Sequence, residues 1–476
     1  MIDILTYNDL LEIGENEKQR MEFVLSAIRE HKGSDQYKTA YDAELYYKHQ
    51  NPTIMRYQKY VYNAFGAKVP DIWSPNNKIA SNWYNYFTTQ AVSYLLGNGV
   101  TFGKKEATKD KLGKDFDKKV QDIATHAKNG GVAFGFWNLD HLECFDLTEF
   151  VPLYDEDDGG LKAGIRFWQI DDNKPLRATL YEMDGYTDYI KRKDKEMEVL
   201  TNKDGVPVGE KRAYKQIIRK SEVEGETILD GENYPDFPIV PLWNVNRQSD
   251  LVGNRGTIDA YDLMVSGLIN NVSSGEFLYW VLTNCDGMSD ADVAKFIEQL
   301  TVTHFAKMDN TDEGSKAEAH KAEVPFAANS EAIARLTDRL YADFMALRVE
   351  SISAGSVTAT QIVAAYEPIN QKTDQFEYQV TDFIQGILEL AGIEDEPTYT
   401  RSQMSNQSEL LEMVLQCAEY LDDEYVTTKI LTLLGDADKA QEVLKRKDAE
   451  AADRYKQQEA ELEKLRNQQN NEPVEE

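Results

Sequence analysis

The sequence predicts an α+β, helix-rich fold. Three observations carry this: a helical first quarter, a block of short aromatic and β-branched segments from about residue 132, and a return to helical periodicity beyond residue 254. In the first quarter, residues 7–31 read as a polar helix with Leu10, Leu11, Ile13, Met21, Phe23, Val24, Leu25 and Ile28 on one side, and a second helix covers 36–48. Asn76 or Asn77 is placed to cap a helix over 76–96, in which Ile79, Trp83, Phe87, Ala91 and Leu95 recur at spacing four. Gly97 and Asn98 supply the left-handed residues that end it, and a further helix is expected over 114–128.

From Val132 the period changes to that of strands. VAFGFWNL, HLECFDL, FVPLYDEDDGGLKAGIRFWQI, LRATLYEM, YTDYIKRK and RAYKQIIRK are separated by Gly, Asp and Asn turn signals, and read as hairpins of a mainly antiparallel sheet ending near Val245. Helices then return. Ile258, Tyr261, Val265, Leu268 and Val272 step by three and four, a seam that packs either within the chain or against another copy, while Ser266, Gly267, Ser273, Ser274 and Gly275 keep other faces small. Residues 283–328 interrupt the helices with a short helix SDADVAKFIEQL, a strand TVTHFAKM, a polar turn and an extended HKAEVPF. A second long helix starts at Asn329 or Ser330 and runs out in SISAGSVTAT, residues 351–360, a stretch whose small and branched residues do not sustain a helix. Helix resumes to Leu390 with a bend expected at Pro368, the last eighty residues look helical, and the terminal NNEPVEE lacks the apolar residues to order.

Composition excludes several classes. Asp and Glu outnumber Lys and Arg by 83 to 52, a net charge of −31, the wrong sign for gripping nucleic acid by releasing phosphate counterions. Three distant cysteines, Cys144, Cys285 and Cys417, suggest neither a disulfide framework nor a zinc site. The N-terminus lacks the pattern of a signal peptide, and the most apolar stretch, 257–282, carries Asp259, Asp262, Asn270, Asn271 and Glu276, so no membrane partner is expected.

No catalytic residue, metal ligand or cofactor is expected. The tightest acidic cluster, Asp155 to Asp158 before Gly159 and Gly160, lacks the ligand spacing of a calcium loop and reads as a solvated hairpin turn. His31, His49, His126, His141, His304 and His320 are scattered outside any HExxH, and neither GxSxG nor a phosphate-cradling GxxxxGK[ST] occurs. The aromatics Tyr46, Tyr47, Tyr57, Tyr60, Tyr62, Trp83, Tyr84 and Tyr86 could stack on single strands, but such platforms normally accompany a basic groove, so in this acidic chain they read more readily as core and subunit contacts.

The order of these segments resembles the SPP1-like bacteriophage portal proteins. NNKIASNWYNYFTTQAVSYLLGNGVTF is similar to the family's early helix and its YLLGNPVTF-type turn, with Gly99 where proline is common. FVPLYDEDDGGLKAGIRFWQ with TLYEMDGYTDYIKR resembles its central strands, and FPIVPLWNVNRQSDLVGNRGTIDAYDLMVSG its passage from sheet into the first long helix, so that the likeness spans about residues 70–390.

The resemblance implies a portal-type architecture. Its parts would be a wing over 1–253, stem helices over 254–282 and 329–350, a small α/β clip over 283–328, a tunnel loop over 351–360, a long wing helix over 361–394, a helical crown over 395–470 and a disordered tail over 471–476. It also implies a non-enzymatic homo-oligomeric ring, commonly a dodecamer, at the capsid vertex of the virion, assembled in the host cytoplasm. Implied partners are the terminase large subunit, head–tail adaptor proteins, major capsid and scaffolding proteins, and double-stranded DNA in the channel. Ser351, Ser353, Gly355, Ser356 and Thr358 would line the tunnel; Ile258, Tyr261, Val265, Leu268 and Val272 would form the stem or ring seam; and Asp290, Asp292, Lys295 and Glu298 would lie on the clip that meets terminase or adaptor. The rival readings are another head–tail connector or baseplate component, and a metal-dependent hydrolase built on the acidic cluster.

Overall fold

A computed structural model describes residues 5–62, 67–72, 74–104, 106–201, 208–220, 227–273, 278–283, 289, 291–292, 294–295, 316–321, 326–351, 359–401, 411, 414–434, 443–447 and 449. The chain divides into two compact units, residues 1–348 with 367–401 and residues 349–366 with 402–476. The first unit has the expected α+β, helix-rich composition.

The first unit opens with α1 (Tyr7–Ile13), α2 (Glu17–Gly33), α3 (Asp35–Tyr47) and α4 (Pro52–Arg56). The single helix expected over 7–31 is therefore two. Gly14, with φ +61°, ends the first, and the Asn16 side chain caps the second by accepting from the Gln19 N–H. A small hairpin, β1 (Tyr60–Tyr62) with β2 (Lys68–Pro70), precedes α5 (Trp83–Leu96) and β3 (Val100–Phe102). Here the structure corrects the sequence reading. The helix begins at Trp83 and not at 76, Asn76 and Asn77 are not its caps, and Ile79 lies outside it. Its left-handed terminator is Gly99 (φ +75°), while Gly97 stays right-handed. Proline, confined to negative φ, could not adopt the backbone that Gly99 has here.

After α6 (Glu106–Leu112) and α7 (Phe116–Gly130) come β4 (Val132–Asn138), β5 (His141–Phe145), β6 (Phe150–Tyr154), β7 (Leu161–Trp168), β8 (Leu176–Glu182), β9 (Gly185–Lys191) and β10 (Met197–Val199), then β11 (Lys215–Lys220), β12 (Thr227–Glu232) and β13 (Ile239–Trp243). Strands β6 to β10 form an antiparallel meander in chain order, while β13, β4 and β5 form a second antiparallel sheet. The cluster Asp155 to Asp158 is the turn between β6 and β7, closed by Asp155 N–H to Gly160 O at 2.9 Å and by Gly160 N–H to Asp158 Oδ1 at 2.6 Å. Asp155 and Asp158 accept from the turn's own amides, while Glu156 accepts from the Thr6 hydroxyl of the N-terminal segment.

The long helices α8 (Arg255–Ser273) and α9 (Phe326–Asp343) flank β14 (Leu278–Thr283) and β15 (Lys316–Lys321), which pair antiparallel. Of the helix expected over 254–282, the described part runs to Ser273, and LYWVLT at 278–283 is a strand, as its aromatic and branched residues favour. The second long helix begins at Phe326, earlier than Asn329, and ends where Met345 turns to φ +51°. The strand expected at 301–308 and the tail at 471–476 lie outside the described residues. A 33-residue helix, α10 (Ala359–Ala391), runs continuously through Pro368. Residues 395–401 do not begin a helical segment. Here β16 (Pro397–Tyr399) pairs antiparallel with β3, which keeps the chain in the first unit as far as Arg401. In the second unit α11 (Asp423–Leu434) is capped by Asp422, whose Oδ1 accepts from Tyr425 N–H at 2.7 Å.

The first unit is held by three apolar clusters. In the largest, Val120, Ile123, Ala124 and Ala127 of α7 and Phe376, Val380, Phe383, Ile384 and Ile387 of α10 share one core with β4 and β13. A second packs Leu10, Phe23, Val24, Ala27 and Ile28 of the N-terminal helices with residues of the β6–β10 meander, and a third joins α3, α5, α8 and α9. Gly135 on β4 lets α10 approach closely, since a Cβ there would stand 2.5 Å from Phe383 Cζ. Gly135→Val is expected to cost about 1–3 kcal/mol by overpacking; a chemical unfolding curve coincident with wild type would contradict this contact.

Candidate functional site at the long helices

The helix α8 buries a face that is mostly polar. Ile258, Asp262, Ser266 and Asn270, four residues apart, are each 3% exposed or less. Against this face runs the segment 77–81, part of the stretch expected to start α5. Asn77 N–H donates to Asn270 Oδ1 at 2.7 Å, Ile79 N–H to Ser266 Oγ at 3.0 Å, and Ser81 N–H to Asp262 Oδ1 at 2.9 Å. Asn270 Nδ2 returns a bond to Asn77 O at 3.1 Å, and the Asn51 amide donates to the other oxygen of Asp262. Burial raises the Asp262 carboxyl above its ordinary range, opposed by the hydrogen bonds from Ser81 and Asn51.

The geometry behind this ladder is simple. Four helical residues advance about 6 Å, and two extended residues advance about 6.6 Å. Every second N–H of an extended chain can therefore meet every fourth side chain of a helix running the opposite way. Those N–H groups have no strand partner, and burying them unpaired would be costly.

Aromatic rings complete the pairing of α8 with α9. Trp83 at the start of α5 stacks on Phe87 and meets the edges of Tyr261 and Tyr341, while Phe87 stacks on Phe344 at 4.6 Å between centroids. Tyr46 and Tyr84 are buried as core residues, whereas Tyr57, Tyr60 and Tyr62 are exposed.

A buried ionic node ties the entrance of α8 to α10. Asp250 lies 2.9 Å from Lys372 and 3.7 Å from Lys128, and accepts from Asn244 Nδ2 at 2.7 Å. The Lys128 ammonium sits 4.0 Å above the Phe376 ring. Burial pushes Lys128 from 10.5 down to about 8, against the pull of Asp250. Burial alone would raise the Asp250 carboxyl, but the ammonium groups of Lys128 and Lys372 and the Asn244 amide hold it well below the usual carboxylate range.

The five seam residues are distributed unequally. Ile258 is fully buried, Tyr261, Val265 and Leu268 are half-buried, and Val272 is 56% exposed, as Ile269 is at 40%. Of the residues expected at 351–360, Ser351 ends a 3-10 turn, Val349–Ser351, while Ser353, Gly355, Ser356 and Thr358 lie outside the described residues. Asp292 and Lys295 are described, helical and exposed; Ser289 donates to Asp292 from both N–H and Oγ, as at a helix start. Asp290 and Glu298 lie outside the described residues. Neither the ladder nor the node was legible beforehand. The only available signal was a set of polar residues, Asp262, Ser266 and Asn270, at helical spacing in an otherwise apolar stretch.

These contacts build a scaffold, in which each carboxylate of ladder and node is occupied by an amide or an ammonium. No helix among the described residues is long and apolar enough to cross a membrane. The sequence profile of the family described as Phage portal protein, SPP1 Gp6-like matches residues 28–461, and the chain belongs to that family. Its role is accordingly that of a phage portal, in a family of structural proteins and not of enzymes.

The portal protein of Clostridium phage phiCD119 is 23% identical over 368 residues, covering 70% of this chain and 77% of its own length. That of Bacillus phage SPP1 is 23% identical over 402 residues, covering 78% and 76%. Among solved structures, a chain from "Neck of native GTA particle computed with C12 symmetry" superposes with a TM-score of 0.37 at 10% identity, covering 75% of this chain and 94% of that one. One from "Virion of native gene transfer agent (GTA) particle" superposes at 0.38 and 10% identity, covering 74% and 87%. Superposition at that level carries no functional argument.

Two outcomes are expected. Ser266→Val or Asn270→Leu strands a buried amide of the 77–81 segment and costs about 1–3 kcal/mol, visible as a lowered denaturation midpoint. Asp250→Asn leaves two buried ammonium groups without their counter-charge and costs about 3–5 kcal/mol, whereas Lys128→Met keeps a neutral Asp250–Lys372 pair and costs much less. Because folding lowers the Lys128 value, the unfolded chain holds more protons between about pH 8 and 10.5, so the stability linked to this group rises with pH over that window. Lys128→Met should abolish that rise in a pH series of unfolding curves.

Proposed function

We propose that this chain closes into a homo-oligomeric ring, a dodecamer by the family's habit, whose axis conducts double-stranded DNA at one vertex of the capsid. The supporting observation is the family match over residues 28–461, joined to a long helix that packs with α9 on one side while leaving Ile269 and Val272 apolar and exposed on another. In this reading 1–253 and 359–401 belong to the wing, α8 and α9 are the stem, the stretch between them is the clip, 351–358 the tunnel loop and 402–470 the crown.

The chemistry suits a conduit. With a net charge of −31 the wall repels the phosphate backbone, and the 351–358 loop, built of small and hydroxyl-bearing residues without a single Lys or Arg, touches it weakly. Association energy would come from apolar contact between neighbouring stems. The chain itself performs no catalysis in this reading. The terminase large subunit supplies ATP-driven force and docks on the clip around Asp290, Asp292, Lys295 and Glu298. Adaptor proteins replace it once the head is filled; capsid and scaffolding proteins surround the wing in the host cytoplasm before the virion is complete.

Electron microscopy of the purified chain is expected to show a closed ring with a central channel. Ile269→Asp combined with Val272→Asp places charge on an exposed face, so the monomer keeps its fold by circular dichroism while rings disappear. Intact rings from that double variant would remove the stem seam from this account.

A further inference from the structure

The fold brings together three side chains that the sequence holds far apart: Glu44 in the last turns of α3, His126 on α7 and Asp146 in the turn that follows β5. Their ligand atoms all lie within 4.8 Å of one another. His126 Nδ1 is 3.1 Å from Glu44 Oε1 and 3.8 Å from Asp146 Oδ2. We propose that Glu44, His126 and Asp146 form a binding site for a first-row divalent cation, with zinc as its natural probe.

The spacing fits. Tetrahedral zinc, with bonds of about 2.0–2.2 Å, sets neighbouring ligand atoms about 3.3 Å apart. The separations of His126 Nδ1 from Glu44 and from Asp146, 3.1 and 3.8 Å, bracket that value, and the carboxylates lie within 4.8 Å of each other, so a modest approach of Asp146 closes the set. One imidazole nitrogen with two carboxylate oxygens is a donor set that zinc accepts readily and that calcium or magnesium, which take oxygen ligands, does not favour.

The ligands are also aimed by their neighbours, as a metal site requires. Asn129 Nδ2 donates to Glu44 Oε1 at 2.8 Å and fixes that oxygen toward His126, while Lys48 holds the opposite oxygen at 3.3 Å. Asp146 Oδ1 is committed to its own turn, accepting from Thr148 N–H at 2.7 Å, Thr148 Oγ1 at 2.6 Å and Glu149 N–H at 3.1 Å. That leaves Oδ2 as the oxygen facing the imidazole. The three side chains are between 13% and 29% exposed, closed enough to shed bulk water and open enough to admit a cation with one water as fourth ligand. Asn129, whose Nδ2 steadies Glu44, is itself buried, and its Oδ1 has no hydrogen-bond partner. A bound cation would pin α3 and α7 to the β5 turn, a cross-link within the first unit.

The test uses the full-length chain, freed of metal by a chelator and titrated with zinc chloride by calorimetry. One zinc per chain is expected, with a raised thermal midpoint. Asp146→Asn retains the Oδ1 acceptor of the turn and so keeps the fold, yet should weaken zinc binding at least tenfold and abolish the thermal shift; His126→Ala should do the same. X-ray absorption on the wild-type complex should show one nitrogen and two oxygen ligands from the protein. Equal zinc binding and equal thermal shift in wild type and Asp146→Asn, or a first shell containing sulfur, would overturn the assignment.

Discussion

The arrangement of the long helices depends on one interaction, the hydrogen bonding of an extended segment to the side chains of a helix. Residues 77–81 cross a buried face without a partner strand, and their amides are met by Asp262, Ser266 and Asn270. The helix must carry short polar groups at every fourth position to make this work, which is why its most buried stripe is not its most apolar one. The same constraint delays the start of α5 to Trp83, because a segment hydrogen-bonded outward to α8 cannot also be helical. With that segment fixed, Trp83 is delivered between Tyr261 and Tyr341, and the pairing of α8 with α9 follows.

A second constraint is electrostatic. Lys128, Asp250 and Lys372 come from α7, the loop before α8 and α10, three segments that apolar packing alone would allow to slide. Buried charges permit few geometries, since each must keep its counter-charge and its hydrogen bonds. The node therefore fixes the direction in which α8 leaves the body of the first unit. In a ring subunit that direction matters, because a small angular error repeated around a closed ring would prevent closure.

Much of the fold was legible because periodicity reports burial directly. The β6–β10 meander, the hairpin turn at Asp155 to Asp158 and the helices around α7 follow from alternation, turn residues and spacing four. The family likeness was legible for a related reason, since ordered phrases such as SYLLGNGVTF carry local constraints of turn and cap that survive divergence. The departures have equally local causes. The strand at 278–283 continues an apolar stretch that reads on from the helix, and although its aromatic and branched residues suit a strand, it is the pairing with 316–321 that reveals it. The pairing of Pro397–Tyr399 with Val100–Phe102 joins segments nearly three hundred residues apart and leaves no trace in either.

The sequence by itself determined the class of fold, the order of its segments, its acidic balance, and that neither GxSxG nor GxxxxGK[ST] occurs in it. Each of these is a property of neighbouring residues or of the whole composition. Only the tertiary structure decided that Asp262, Ser266 and Asn270 are acceptors for a distant backbone, that Lys128 is buried beside Asp250, and that Glu44, His126 and Asp146 converge. Polar groups at such positions look solvated in a sequence. What makes them structural is the desolvation imposed by elements far along the chain, and that quantity exists only once the chain has folded.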